Sequence, residues 1–292
     1  TFGMTLPLRL VAPSPLDYFA SLVADDGNFA VLEAAVALGQ DADPSLDTQA
    51  VLNEIDSLGA RLQRRLPADA SPMHRLRTLN RFFFRELAFA GNVNDYCDAG
   101  NSYLHKVLAS RRGIPISLAL LYIELAGHAG LTARGVSFPG HFLVKLRLPA
   151  GEAVMDPFNG RSLSREELEE RLEPLRRQQG LVGDFEVPLG LFLQSAAPRD
   201  IIARMLRNLK SIHQQAESWV DLLAVNNRLV CLLPDAWDER RDRGLTLAEM
   251  GQSDAAADDL GTYLAHAPDA ADAEPVRHML AELRNSPRPQ LH

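Results

Sequence analysis

A chain of 292 residues, 46% of them hydrophobic and 23% charged, has the make-up of a globular protein able to bury a core without staples. Its net charge of −8 excludes a global electrostatic footprint for nucleic acid, and two distant cysteines exclude a disulfide framework or a paired-cysteine metal site. The longest apolar run, Ile114–Leu125, is too short to span a bilayer and contains Pro115 and Glu124; with no signal peptide or lipidation box in view, the expectation is a cytoplasmic protein without a membrane association.

The first part, residues 1–90, is predicted to be helical. Leu16–Leu38 carries apolar residues at helical spacing, and so does Leu46–Leu66, where Val51, Leu52, Ile55, Leu58 and Leu62 form one stripe. Pro72 opens a third helix, since proline suits a first turn whose N–H groups have no partner anyway. Its aromatic run Phe82-Phe83-Phe84 is expected to be core.

The second part, residues 91–195, is mixed. Gly91–Gly100 is a polar loop; Asn101 or Ser102 is expected to cap a helix that ends at Arg112-Gly113. Pro115 and Ser117 then start a helix that runs to about Ala129 and stops at Gly130. It is apolar nearly all round, so it should be central and buried. Strands follow at Arg134–Phe138, Phe142–Leu148 and Ala153–Met155, the last two pairing as a hairpin, and Ser164-Arg165-Glu166-Glu167 is a capping box opening a charged helix.

The third part, residues 199–285, is helical and contains a repeat. Pro234-Asp235-Ala236 recurs as Pro268-Asp269-Ala270 after 34 residues, the tetratricopeptide period. Gly244, Leu247, Ala256, Leu260 and Tyr263 fall where that pattern requires small or apolar residues, with Gly251 in the turn; the preceding unit is degenerate, because Lys210 replaces a small residue. Residues 234–292 hold twelve acidic side chains against six arginines and no lysine, which reads as a solvated helical face.

The chemistry-bearing pattern is Ser117, His141 and Asp156. A serine at a helix start sits among converging N–H groups, a histidine at a strand mouth can act as a general base, and an aspartate at the end of the next strand can orient the imidazole. Each has a plain structural alternative. Serine caps helices, a half-buried histidine bonds a backbone carbonyl, and Asp-Pro starts turns. His105 and His128 lie on helices without paired ligands, and no phosphate-cradling glycine loop is present, so neither a metal site nor a cofactor is expected.

Four ordered blocks, Asn101-Ser102-Tyr103-Leu104, Arg111-Arg112-Gly113-Ile114-Pro115-Ile116-Ser117-Leu118, Phe138-Pro139-Gly140-His141-Phe142 and Met155-Asp156-Pro157-Phe158-Asn159-Gly160, resemble the SirB family. Those are bacterial proteins with a transglutaminase-like core followed by tetratricopeptide-like helices, and a eukaryotic F-box protein carries a similar core. The resemblance implies an α+β fold, mostly helical, with a papain-like or transglutaminase-like core, a small antiparallel sheet and a C-terminal helical repeat segment. It also implies that Ser117 stands at the position of the superfamily's nucleophilic cysteine, with His141 and Asp156 at the positions of its histidine and aspartate. Two functions follow. One is a non-catalytic or weakly active transglutaminase-like module that binds a protein or peptide partner through its repeat helices. The other is a serine hydrolase or acyltransferase using Ser117, His141 and Asp156 on an amide or ester.

Overall fold

The N-terminal apolar stripes fold into short helices that wrap a later one. The computed structural model describes residues 13–179 and 187–285. Helix α1 (Pro15–Leu22) is opened by a capping box in which Ser14 and Asp17 exchange hydrogen bonds. Helix α2 (Val31–Ala37) runs into a 3₁₀ turn at Leu38–Asp41. The apolar spacing of Leu16–Leu38 is therefore divided between two helices, because Asp25 turns its carboxylate onto the Gly27 N–H at 2.9 Å and breaks the helical ladder. Helix α3 (Thr48–Gln63) buries Val51, Ile55, Leu58 and Leu62 as its stripe predicts. Helix α4 (Pro72–Asn80) continues into a π-helical turn at Arg81–Glu86, where Phe82 and Phe83 are fully buried and Phe84 is half-buried.

Strand β1 (Ala90–Gly91) pairs in parallel with β2 (Arg112–Gly113), on either side of helix α5 (Leu104–Ser110). The expected glycine stop for α5 is corrected. The helix ends at Arg111, which takes the left-handed conformation at φ 60°, and Gly113 serves another purpose. A Cβ at Gly113 would lie 2.7 Å from Ser117 Oγ, so only glycine lets β2 pass the start of the next helix.

That helix, α6 (Pro115–His128), is buried from Pro115 through Tyr122 and again at Leu125 and Ala126. Strands β3 (Thr132–Val136), β4 (Leu143–Leu148), β5 (Gly151–Asp156) and β6 (Arg161–Leu163) form an antiparallel meander in that order. The fourth strand escapes the sequence pattern because three residues are too few to show alternation. Helix α7 (Arg165–Gln179) opens on the predicted capping box, with Glu167 accepting from the Ser164 N–H at 2.8 Å. A short helix, α8 (Leu189–Phe192), leads to the last part.

Helices α9 (Pro198–Gln215), α10 (Trp219–Leu232), α11 (Trp237–Glu249), α12 (Ser253–His266) and α13 (Ala273–Asn285) stack as successive antiparallel neighbours. Gly244 lets α11 meet α12 closely, since a Cβ there would stand 2.9 Å from Leu260. Gly251 turns the chain between them at φ +71°, and Leu247, Ala256, Leu260 and Tyr263 are buried as the repeat requires. The misfit Lys210 bridges α9 to α11 by bonding Glu239 at 2.6 Å and Asp242 at 2.5 Å.

Two arginines lock these helices to the N-terminal ones. Arg228 of α10 is 1% exposed and grips both carboxylate oxygens of Asp41 at 2.6 and 2.7 Å. Arg199 of α9 bonds Asp26, the Val23 carbonyl and the Leu232 carbonyl. Breaking a buried pair leaves a charge without compensation. Asp41→Ala is expected to cost about 3–5 kcal/mol in urea unfolding, and Asp41→Ala with Arg228→Met to recover most of that loss.

Candidate functional site

The start of α6 has a problem that water solves elsewhere. Helical N–H groups at a first turn lack intrahelical acceptors, and here that turn is buried. Ser117, the third residue of α6 and 0% exposed, folds back to solve it. Its Oγ accepts from the Ile114 N–H at 3.1 Å and lies 2.6 Å from the Asn101 carbonyl and 3.0 Å from the Ile114 carbonyl. One hydroxyl proton and its lone pairs are accounted for by these three groups, the Asn101 carbonyl being the nearest acceptor.

Asn101 is the hub of this corner. Its Nδ2 donates to the Asp95 carbonyl at 2.7 Å, and its Oδ1 accepts from Asn92 Nδ2 at 3.0 Å. The Asn92 N–H reaches the Gly113 carbonyl at 3.0 Å. The polar loop 91–100 is thereby tied to the start of α6. Its middle reaches the turn after β5, where the Tyr96 ring stands 6.0 Å from Phe158 and Phe158 stands edge-on 6.5 Å from His141.

His141 and Asp156 meet across the β4–β5 hairpin. The register that pairs Val144 with Met155 brings the mouth of β4 beside the end of β5. Gly140 adopts φ +67°, and the His141 N–H closes the turn on the Phe138 carbonyl at 3.0 Å. His141 Nε2 then lies 2.8 Å from Asp156 Oδ1. Asp156 is 2% exposed and also accepts from the Phe158 N–H at 3.0 Å and from Asn159 Nδ2 at 3.3 Å, with Arg171 Nη1 at 3.5 Å. Burial pushes the Asp156 carboxyl up, but the hydrogen bond and charge of His141, the Phe158 N–H and Arg171 together hold it below the ordinary aspartate range.

The structure thus bonds two of the three candidate site residues to each other, while the third makes its own hydrogen bonds to Ile114 and Asn101. Among the described residues no hydrogen bond connects Ser117 with His141. With the imidazole fixed by a buried carboxylate, the His–Asp pair has the form of a base and its orienter. The hydroxyl that would complete it is engaged by main-chain carbonyls.

Three contributors were not legible in the sequence. Asn101 reads as a helix cap, whereas it organises a loop through its side chain. Arg171 lies on a charged helix with nothing to single it out. Arg204 of α9 bonds Ser137 Oγ at 2.7 Å and the Phe138 carbonyl at 3.3 Å, steadying the turn that carries His141 from a part of the chain read as separate. His128, read as lacking partners, has Asp56 of α3 at 3.5 Å and Glu124 at 3.8 Å. Together they hold one ligand-type atom each within 4.8 Å of one another.

The lowered Asp156 carboxyl has a consequence for stability. A carboxyl depressed on folding contributes stability that is complete above its unfolded value of about 4 and is lost as pH falls through the folded value. Asp156→Asn is expected to cost about 1–3 kcal/mol at neutral pH. Its urea-unfolding free energy should converge with that of the unaltered protein as the pH is lowered toward about 2.

Known proteins are similar to this sequence along nearly the whole chain. The family model described as the transglutaminase-like superfamily matches residues 49–207, and one for the tetratricopeptide repeat matches residues 209–281. A UPF0162 protein of Xylella fastidiosa (strain 9a5c) is 36% identical over 269 residues, 92% of this chain and 94% of its own. A UPF0162 protein of Vibrio cholerae is 28% identical over 267 residues, covering 90% and 95%. Human F-box only protein 21 shares 42% identity over 84 residues, which is 29% of this chain and 13% of that one. No solved structure matches. The chain belongs to the transglutaminase-like superfamily, in the UPF0162 group that the SirB resemblance points to, with tetratricopeptide repeats following the core.

Proposed function

We propose that this is a pseudoenzyme of the cytoplasm, a transglutaminase-like core whose residues 91–195 serve as a scaffold while residues 199–285 bind a protein or peptide partner. The observation that carries this reading is the engagement of Ser117. A nucleophile must present its oxygen to both a base and a substrate carbon. Ser117 Oγ is buried and bonded to the Asn101 and Ile114 carbonyls, so attack would require dismantling the corner that Asn101 organises.

Support for the binding role comes from the repeats, which generally mediate protein–protein interaction. Lined by α9, α10, α11 and α13 is a groove of about 450 Å³, with Lys210, Gln214, Trp219, Leu245 and Met279 in its walls among others. Its walls are stiffened by the Lys210–Glu239–Asp242 bridge and by Arg241 on Asp272 at 2.5 Å, so a partner would meet a preformed surface.

One observation favours the serine hydrolase or acyltransferase instead. His141 and Asp156 keep the geometry of a base and its orienter at 2.8 Å, although a pure scaffold has no chemical need of it. A fluorophosphonate probe separates the two readings. The scaffold reading expects no adduct on Ser117 at high probe excess. It also expects Ser117→Ala to lower stability by about 1–3 kcal/mol, as loss of a buried hydrogen-bonding group does. In a pull-down, partners should be lost with Leu245→Asp and Met279→Asp and retained with His141→Ala. An adduct on Ser117 that His141→Ala abolishes would establish the hydrolase.

A further inference from the structure

The Phe158 ring, edge-on to His141, also lines a second cavity of about 540 Å³ that the His–Asp pair does not use. Its other principal walls are Asn80, Arg81, Phe84, Arg85 and Phe89, with the turn 159–160 at one side. We propose that this cavity is a binding site for a small aromatic phosphate, a planar ring carrying one phosphate group. The assignment does not rest on whether Ser117 is catalytic.

The cationic half comes from the π-helical turn. The Leu87 N–H bonds the Phe82 carbonyl at 2.8 Å, a step of five residues in place of four. Such turns recur at functional sites because they displace side chains from regular helical positions. Arg81 and Arg85 stand on this turn at the cavity. Arg85 has no carboxylate partner among the described residues. Arg81 is 79% exposed, and its one ion-pair partner among the described residues, Glu86, lies 3.7 Å away and is held at 2.6 Å by Arg65. Among the described residues no aspartate or glutamate lines the cavity, in a chain whose net charge is −8. Two guanidinium groups, one with no carboxylate partner among the described residues and the other sharing Glu86 with Arg65, are suited to an oxyanion, which each can take by paired N–H donors.

A third donor converges. Asn80 Oδ1 accepts from the Tyr122 hydroxyl at 2.6 Å, which fixes the amide and leaves its Nδ2 without an acceptor among the described residues. Three donor groups match the three terminal oxygens of a phosphate monoester better than the two of a carboxylate.

The aromatic half is built by glycines. A Cβ at Gly91 would fall 2.2 Å from the Phe158 ring, and one at Gly160, where φ is +72°, would fall 3.1 Å from the Phe84 ring. Each glycine admits a phenyl ring where any side chain would displace it. Phe84, Phe89 and Phe158 thus give a ring-lined wall beside the cationic edge, and such walls favour a planar ring in offset or edge-to-face contact.

The test is an amide NMR titration of the full chain with phenyl phosphate, with inorganic phosphate and phenol as separate arms and the His141 ring signals followed in parallel. The expected result is saturable shifts at Phe84, Phe158 and Gly160, a displaced His141 signal through Phe158, and phenyl phosphate binding at least about tenfold tighter than either half. Arg81→Gln with Arg85→Gln should weaken binding by about 10- to 100-fold, since both lie at the surface and each loses a charge-assisted contact. Arg277→Gln in α13 should change nothing. The assignment is overturned by absence of saturation at about 10 mM, by unaltered affinity in the double variant, or by inorganic phosphate binding as tightly as phenyl phosphate.

Discussion

The structure depends on one constraint, that α6 is apolar on nearly every face and so must be enclosed at its beginning as well as along its sides. Leu118, Ala119, Tyr122, Leu125 and Ala126 draw in α3, the sheet and α9 around it. Enclosure removes the water that would serve the first turn's N–H groups, and an unpaired buried donor costs free energy comparable to a lost hydrogen bond. Proline at the first position removes one donor outright, and Ser117 accepts another from Ile114. The loop 91–100 follows from the same need, because the Asn101 carbonyl receives the hydroxyl while the Asn101 side chain gathers the loop. A hydroxyl that a nucleophile reading would need free is thereby enlisted for folding.

Most of the scaffold could be read from periodicity and punctuation. The α3 stripe, the buried α6, the β4–β5 hairpin, the Ser164 capping box and the 34-residue repeat all rest on local patterns that tertiary packing reinforces. What escaped is what local pattern does not encode. The break after α1 depends on the Asp25 side chain competing with the helical ladder. The φ of 60° at Arg111 releases Gly113 for a contact with Ser117 that no spacing rule reveals. The order of serine, histidine and aspartate along the chain puts His141 and Asp156 on neighbouring strands, where they bond at 2.8 Å. It was silent on the rotamer of Ser117, because that is decided by Asn101, sixteen residues earlier. Arg171 and Arg204, which steady the pair, come from a helix that reads as solvated and from a segment that reads as a separate part.

The joins carry functional meaning. Arg228 on Asp41 and Arg199 on Asp26 bind the repeat helices to the N-terminal helices, and Arg204 binds α9 to the turn bearing His141. A partner in the groove lined by α9, α10, α11 and α13 would therefore meet a rigid surface and lose little of its binding free energy to ordering. The same rigidity links the regions on either side of Phe158, since that ring touches the His–Asp pair, the loop bearing Tyr96 and the arginine-edged cavity.

The central claim is that position 117 is a closed structural corner and not a reactive one. The most direct measurement is the alkylation rate of Ser117→Cys by iodoacetamide, in a chain with Cys97 and Cys231 replaced by serine, followed across pH and with increasing urea. The account predicts a thiol that reacts only as the core opens, with a rate that climbs with urea and is indifferent to His141→Ala. Fast alkylation of the folded protein, with an apparent pKa below the ordinary cysteine value of about 8.5 and a dependence on His141, would contradict it.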